Sequence, residues 1–262
     1  MSHRHLLGVF VFTTTTPMNL AANTVLITGG ASGIGFALAE RFIKAGSTVI
    51  VCGRRADKLE EAKQKLPGLH TRVCDVGVAA ERVALLAWVR SEFPTVNVLV
   101  NNAGIQNRVQ FATDTESWET RQHEIAINVD APIHLSILFI NHLREQPDPA
   151  IINVTSGLAF APAAFAPIYS ATKAALHSFT LSLRHQLKDT HIKVLEIVPP
   201  AVNTDLGGPG LHTFGVPVDE FADSVMARLA AGEIEVGFGT SERNRLASRT
   251  ELDDIFQQMN NR

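Results

Sequence analysis

"TVLITGGASGIGFALAERF", residues 24–42, opens on a β-branched run and passes through Gly29, Gly30, Gly33 and Gly35 into an amphipathic stretch. Glycines at such a junction let the backbone turn sharply and lie close to a pyrophosphate, whose charge suits the amides of a helix start. The spacing is TGxxxGxG rather than GxGxxG, and a glycine loop alone also reads as a tight turn. Its place directly after a first strand favours a dinucleotide site, with Gly29, Ser32, Gly33, Ile34 and Gly35 as candidate contacts.

The rest of the chain repeats this alternation. Strands are expected at Thr24–Thr28, Thr48–Cys52, Leu69–Val73, Val98–Asn101, Ile151–Val154, Val194–Val198 and Ile234–Val236. These runs lack a polar face, as in a parallel sheet covered on both sides. Helical patterns fill the gaps at Ile34–Ala45, Leu59–Lys65, Ala80–Glu92, Ser117–Leu143 and after Pro167, where Leu176, Phe179, Leu183 and Leu187 form a stripe. The alternation predicts an α/β fold: a doubly wound, mostly parallel seven-stranded sheet, Rossmann-like, in one domain over residues 18–262. Residues 1–17 stand apart. Their apolar run Leu6–Phe12 is too short for a bilayer and no clear cleavage site follows, so a disordered or non-native extension is expected.

Composition narrows the function. Of 262 residues 45% are hydrophobic and 19% charged, enough for a large core. A net charge of −3 without long charged runs argues against nucleic acid or a membrane surface as main partner. Two cysteines, Cys52 and Cys74, make no disulfide framework, so a cytoplasmic setting is the default. The ten histidines show no metal-ligand spacing, and no metal site is expected.

The second strand bears on the cofactor. A dinucleotide without a 2′-phosphate usually meets an acid about 20 residues past the glycines. Here "CGRRADKL" places Gly53 there, followed by Arg54 and Arg55. Guanidinium matches phosphate oxygens and the missing acid needs an explanation, so NADP(H) is expected over NAD(H); the alternative is that both arginines are solvated at a helix start. Asp75 and Val76 follow the third strand, where the acid reads either as an adenine partner or as a helix cap. In "NNAG" the amides of Asn101 and Asn102 can brace strands, while Ala103 and Gly104 admit a cofactor sugar.

At the other end, Ser156 stands at the mouth of the fifth strand, Tyr169 follows, and Lys173 shares a helix face with that tyrosine. An ammonium beside the phenol is expected to lower a pKa that starts near about 10, making Tyr169 a general acid or base. Ser156 can hydrogen-bond a carbonyl oxygen where charge develops. Asn128, in mid-helix, reads as a tolerated amide or as a kink that binds a relay water.

Together TGGASGIG, NNAG, Asn128, Ser156, YSATK and PPAVNT resemble the short-chain dehydrogenase/reductase family in its short single-domain form. More narrowly, "NVTSGLAF", "ATKAALHSFTLSLRHQL" and "SERNRLASRTELDDIF" are similar to the DltE-type oxidoreductases of bacteria. The resemblance implies Asn128, Ser156, Tyr169 and Lys173 as a tetrad, with Lys173 also on the nicotinamide ribose and Val202 and Thr204 on its amide. It implies hydride transfer between a nicotinamide and a carbonyl or alcohol carbon. It also implies a homodimer or homotetramer built on the 117–143 and 168–189 helices. Pro200 departs from the family's usual glycine and is expected to stiffen its loop.

The segment Gly157–Pro167, with Ile105, Gln106 and the loop Asp205–Pro217, predicts a mostly apolar pocket for a carbonyl or secondary alcohol. The alternative is a non-catalytic NADP(H) sensor or scaffold, for which an acid–base tyrosine has no use.

Overall fold

The computed structural model describes residues 17–261, so the extension foreseen at 1–17 lies, Pro17 apart, outside the described residues. Seven strands form one parallel sheet: β1 (Thr24–Thr28), β2 (Thr48–Gly53), β3 (Leu69–Val73), β4 (Val98–Asn101), β5 (Ala150–Val154), β6 (Lys193–Val198) and β7 (Glu235–Gly237). Their order is β3-β2-β1-β4-β5-β6-β7. The chain thus builds one half outward from β1 and the other from β4, and the crevice between them is where such sheets take ligands.

Nine helices are described: α1 (Gly33–Lys44), α2 (Ala56–Lys65), α3 (Ala79–Glu92), α4 (Trp118–Ile125), α5 (Ala131–Leu143), α6 (Pro167–Gln186), α7 (Val218–Ala230), α8 (Thr240–Leu246) and α9 (Arg249–Asn260). One core packs α1 and α7 on the sheet through Leu38, Phe42, Phe221 and Val225. The other packs α3, α5 and α6 through Leu85, Val89, Leu135, Phe139 and Leu183. Phe42, Phe139 and Phe221 are fully buried, and truncating any of them to alanine costs about 3–5 kcal/mol.

The 117–143 stretch, expected as one helix, is two helices joined by a wider turn at Ala126–Asp130. Pro132 is the cause within the sequence: it has no N–H to offer the carbonyl four residues back, that of Asn128. β3 is also less apolar than expected. It is an edge strand, and Arg72 and Val73 face solvent. Pro167 opens α6, whose buried residues Tyr169, Lys173, Leu176, Thr180 and Leu183 trace one stripe.

Candidate active site

Because all strands run in parallel, the segments after β1, β2, β3, β4, β5 and β6 emerge on one edge of the sheet, and every site residue read from the sequence lies there or on a helix packed beside it. The glycine loop is held from below by the segment after β4. Asn102 Nδ2 donates to the carbonyls of Thr28 (2.9 Å) and Gly29 (3.1 Å), and Thr28 Oγ1 accepts the amides of Asn102 and Ala103. A Cβ on Gly35 would lie 2.4 Å from Asn102 Nδ2 and 2.6 Å from the Gly29 carbonyl, so only glycine fits. Gly29 and Gly33 have φ of +65° and +55°. Thr204 Cγ2 would stand 3.2 Å from a Cβ on Gly33, which puts the loop after β6 over the start of α1. Val202 in that loop is buried and bridges to Val216.

This cradle fits a dinucleotide phosphate on its own geometry. The first turn of α1 carries no acid, and Ser32 at its N-cap makes no side-chain cap bond, so the positive helix end stays open to an anion.

On the same half of the sheet edge, just past β2, Arg54 and Arg55 are exposed. Arg54 Nη1 donates to His123 Nε2 at 3.0 Å, a partner on α4 that no local pattern pointed to. Asp75 Oδ1 accepts the amide of Gly77 at 2.8 Å, a turn made by its own side chain rather than a helix cap. Val76 beside it is buried. Cys52 and Cys74 are free, buried thiols, and their mutual hydrogen bond, reinforced by burial, pushes Cys52 well above its usual value.

At the reacting end, Ser156, Tyr169, Lys173 and Asn128 are all at least nine-tenths buried. Ser156 Oγ accepts the amide of Leu158 and hydrogen-bonds the Tyr169 phenol. Lys173 Nζ donates to the Val154 carbonyl at 2.8 Å and stands 5.6 Å from the Tyr169 ring centre. A Cβ on Gly104 would fall 3.4 Å from Asn128 Oδ1 and 3.6 Å from Lys173 Nζ, so the three positions converge. Asn128 makes two hydrogen bonds with Ile105, accepting its amide (3.0 Å) and donating to its carbonyl (2.9 Å).

The electrostatics correct one expectation. The phenol of Tyr169 is raised, not lowered: burial dominates, the Ser156 bond offsets part of it, and the charge of Glu124 adds to it. Lys173, which was expected to supply the lowering, spends its hydrogen bond on Val154, and burial brings it down to about 8.

Residues 23–211 match the family model described as short chain dehydrogenase. The chain belongs to this family. It is 48% identical over 248 residues to the "uncharacterized oxidoreductase DltE" of Bacillus subtilis (strain 168), covering 93% of this chain and 98% of that protein. The "NADP-dependent 3-hydroxy acid dehydrogenase YdfG" of Escherichia coli (strain K12) is 34% identical over 68% of this chain and 72% of its own. A short-chain dehydrogenase from Sphingobium yanoikuyae, solved in complex with NADPH, superposes with a TM-score of 0.76 at 26% identity. That match covers 90% of this chain and 94% of the other. This short chain dehydrogenase is therefore an oxidoreductase on a Rossmann-like sheet.

Around the reacting end, the apolar pocket expected of this dehydrogenase is only half present. Part of the Gly157–Pro167 segment turns toward α9: Asn260 bonds Ala164 and Pro162, and Phe256 helps enclose an apolar cavity of about 430 Å³ with Leu158 and Pro167. Beside Gln106 the walls are polar, and they include Arg108 and Arg121. The sequence also gave no warning of Glu124, fully buried and four residues before Asn128, which binds the Asn107 amide and side chain. Nor did it foretell that α6, β6 and β7 bring His177, Glu196 and Glu235 together. There Glu196 is already engaged by His177 and Thr155, and Glu235 faces Arg245 at 3.5 Å.

Proposed function

We propose that the chain moves a hydride between NADP(H) and a carbonyl or secondary alcohol, with Tyr169 as the general acid or base. The observation that carries this reading is the convergence of Ser156, Tyr169, Lys173 and Asn128, buried together beside the glycine cradle. NADPH, when bound, supplies the hydride from its nicotinamide.

The protein's own part is positioning and proton transfer. Ser156 orients the carbonyl oxygen, and Tyr169, protonated across the working range, delivers the proton to it. Lys173 contributes an ammonium near the phenol and a donor for the nicotinamide ribose. Asn128 holds a relay water beside Lys173, a reading supported by Pro132, which offers no N–H to the carbonyl four residues back. Gly29, Ser32, Gly33, Ile34 and Gly35 hold the pyrophosphate, Asp75, Val76, Asn102, Ala103 and Gly104 the adenosine and sugar, and Val202 and Thr204 the nicotinamide amide. Arg54 and Arg55, exposed just past β2, hold the 2′-phosphate, and the missing acid at Gly53 supports NADP(H) over NAD(H).

The protein acts in the cytoplasm as a homodimer or homotetramer. Trp118, Ile137 and Leu181, large apolar side chains exposed on α4, α5 and α6, support an interface on those helices.

A panel of ketones and aldehydes assayed with NADPH tests the reading. Tyr169→Phe is expected to keep cofactor binding and to lose roughly 10²–10⁴-fold in turnover. Turnover that survives this change would sink the acid–base assignment. A wild-type protein that binds NADPH and reduces nothing would favour the sensor.

A further inference from the structure

Glu124, in the last turn of α4, is a fully buried carboxylate that neither the hydride nor the proton step uses. No ion pair holds it among the described residues, and Arg121, whose charge reaches it, is paired with Asp114. Burying a lone carboxylate is costly unless hydrogen bonds offset the lost water. Here the bonds all come from one residue. Oε1 accepts the Asn107 amide at 3.2 Å, and Oε2 accepts Asn107 Nδ2 at 3.0 Å.

One turn further on, Asn128 treats Ile105 in the same way, through its amide and its carbonyl. Two successive turns thus hold the chain after β4 at residues 105 and 107. Asn128 also ties this segment to α6: Nδ2 donates to Thr172 Oγ1 at 3.1 Å, and the Thr172 hydroxyl donates to the Tyr169 carbonyl at 2.7 Å. Gly104 lies just before Ile105, where a Cβ would stand 3.4 Å from Asn128 Oδ1 and 3.6 Å from Lys173 Nζ.

The same segment meets two loops of the site. Val109 donates its amide to the Phe165 carbonyl at 3.0 Å, and a Cβ on Gly207 would lie 3.1 Å from the Gln106 carbonyl. A shift at residues 104–107 is therefore passed to Lys173, to α6 and to both loops. The Tyr169 phenol feels the charge of Glu124, so the carboxylate is within electrostatic reach of the reacting end. We infer that Glu124 is a positioning residue: bonded to Asn107, and with Asn128 bonded to Ile105, it fixes the register of Gly104 against Lys173 on which hydride transfer depends. The inference rests on the reading of the chain as a carbonyl reductase.

The test is a swap of donor and acceptor. Asn107→Asp sets two carboxylates face to face and should lower kcat by about 10–100-fold, with the NADPH dissociation constant changed by less than about threefold. Asn107→Leu, which removes only the side-chain bond, should cost less. Glu124→Gln should bring no gain alone. In the Asn107→Asp background its Nε2 can donate to the new carboxylate, and kcat should return to within about threefold of the wild type. Taken per NADPH-binding site, kcat is not moved by a role confined to folding. An undiminished kcat in Asn107→Asp, or two effects that merely add, would overturn the clamp.

Amide hydrogen exchange of the cofactor-free protein reads the clamp without turnover. The Ile105 and Asn107 amides should exchange about tenfold faster or more in Asn107→Asp and slow again in the double variant. A wild type that reduces no carbonyl but shows this pattern loses the reductase reading and keeps the clamp. Active protein in which both amides ignore the substitutions has no clamp.

Discussion

The Thr155 hydroxyl donates to the fully buried carboxylate of Glu196 at 2.7 Å, and Thr155 immediately precedes Ser156. The same carboxylate takes His177 Nδ1 at 2.9 and 3.0 Å, and His177 is four residues beyond Lys173 on α6. One buried anion thus ties the strand end that carries Ser156 to the helix that carries Tyr169 and Lys173. Removing one member of a buried charged pair costs about 3–5 kcal/mol. Glu196→Ala is expected to lose that much stability in urea denaturation and to lower turnover as well. Full stability with unaltered rates would show that the tie is idle.

His177 gives this tie a pH dependence. Burial works against its charge, but the hydrogen bond and charge of Glu196 outweigh burial, with Glu235 adding to them and Arg184 opposing, and its pKa is raised. The folded state therefore holds the proton more tightly than the unfolded chain. The stabilisation is fully present below the unfolded value of about 6.5 and is lost as pH rises through the raised folded value. Urea midpoints of the wild type and His177→Asn should differ more near pH 6 than near pH 9. A gap independent of pH would contradict the pairing.

Activity should have a different alkaline limb. Tyr169 stays protonated well above neutrality, whereas Lys173 titrates at about 8. Carbonyl reduction that needs the ammonium should fall as pH rises past that value, and Lys173→Arg, if active, should move the limb upward. A kcat/KM profile flat past pH 9 would remove Lys173 from this role.

Gly35→Ala tests the cradle. Its Cβ would collide with Asn102 and with the Gly29 carbonyl, one a braced side chain and the other backbone. Overpacking of this kind costs about 1–3 kcal/mol. It would displace both cofactor segments together, so NADPH binding should fall even in protein that remains folded by circular dichroism.

The sheet and the gathering of Ser156, Tyr169 and Lys173 were legible in the sequence because each rests on a local signal. β1 spans the residues its β-branched run predicted, and the i,i+4 pair of Tyr169 and Lys173 needs only the helix between them. What escaped depends on residues far apart in the chain. Glu196 looks like a polar interruption in an apolar strand until His177 on α6 and Thr155 just past β5 are set beside it. His123 meets Arg54 across 69 residues. The phenol's raised pKa was missed because spacing reports proximity to Lys173 and says nothing of burial. The polar wall around Gln106 was hidden for a similar reason: Arg121 and Asp114 approach it only once α4 has folded back.

The most direct test of the account is a titration of the purified protein with NADPH and with NADH, followed by the fluorescence of the reduced nicotinamide. The account predicts NADPH at least tenfold tighter, a difference of about 1.4 kcal/mol, narrowed by Arg54→Ala. Equal or tighter binding of NADH would make the two arginines surface charges, and binding of neither would contradict the oxidoreductase reading itself.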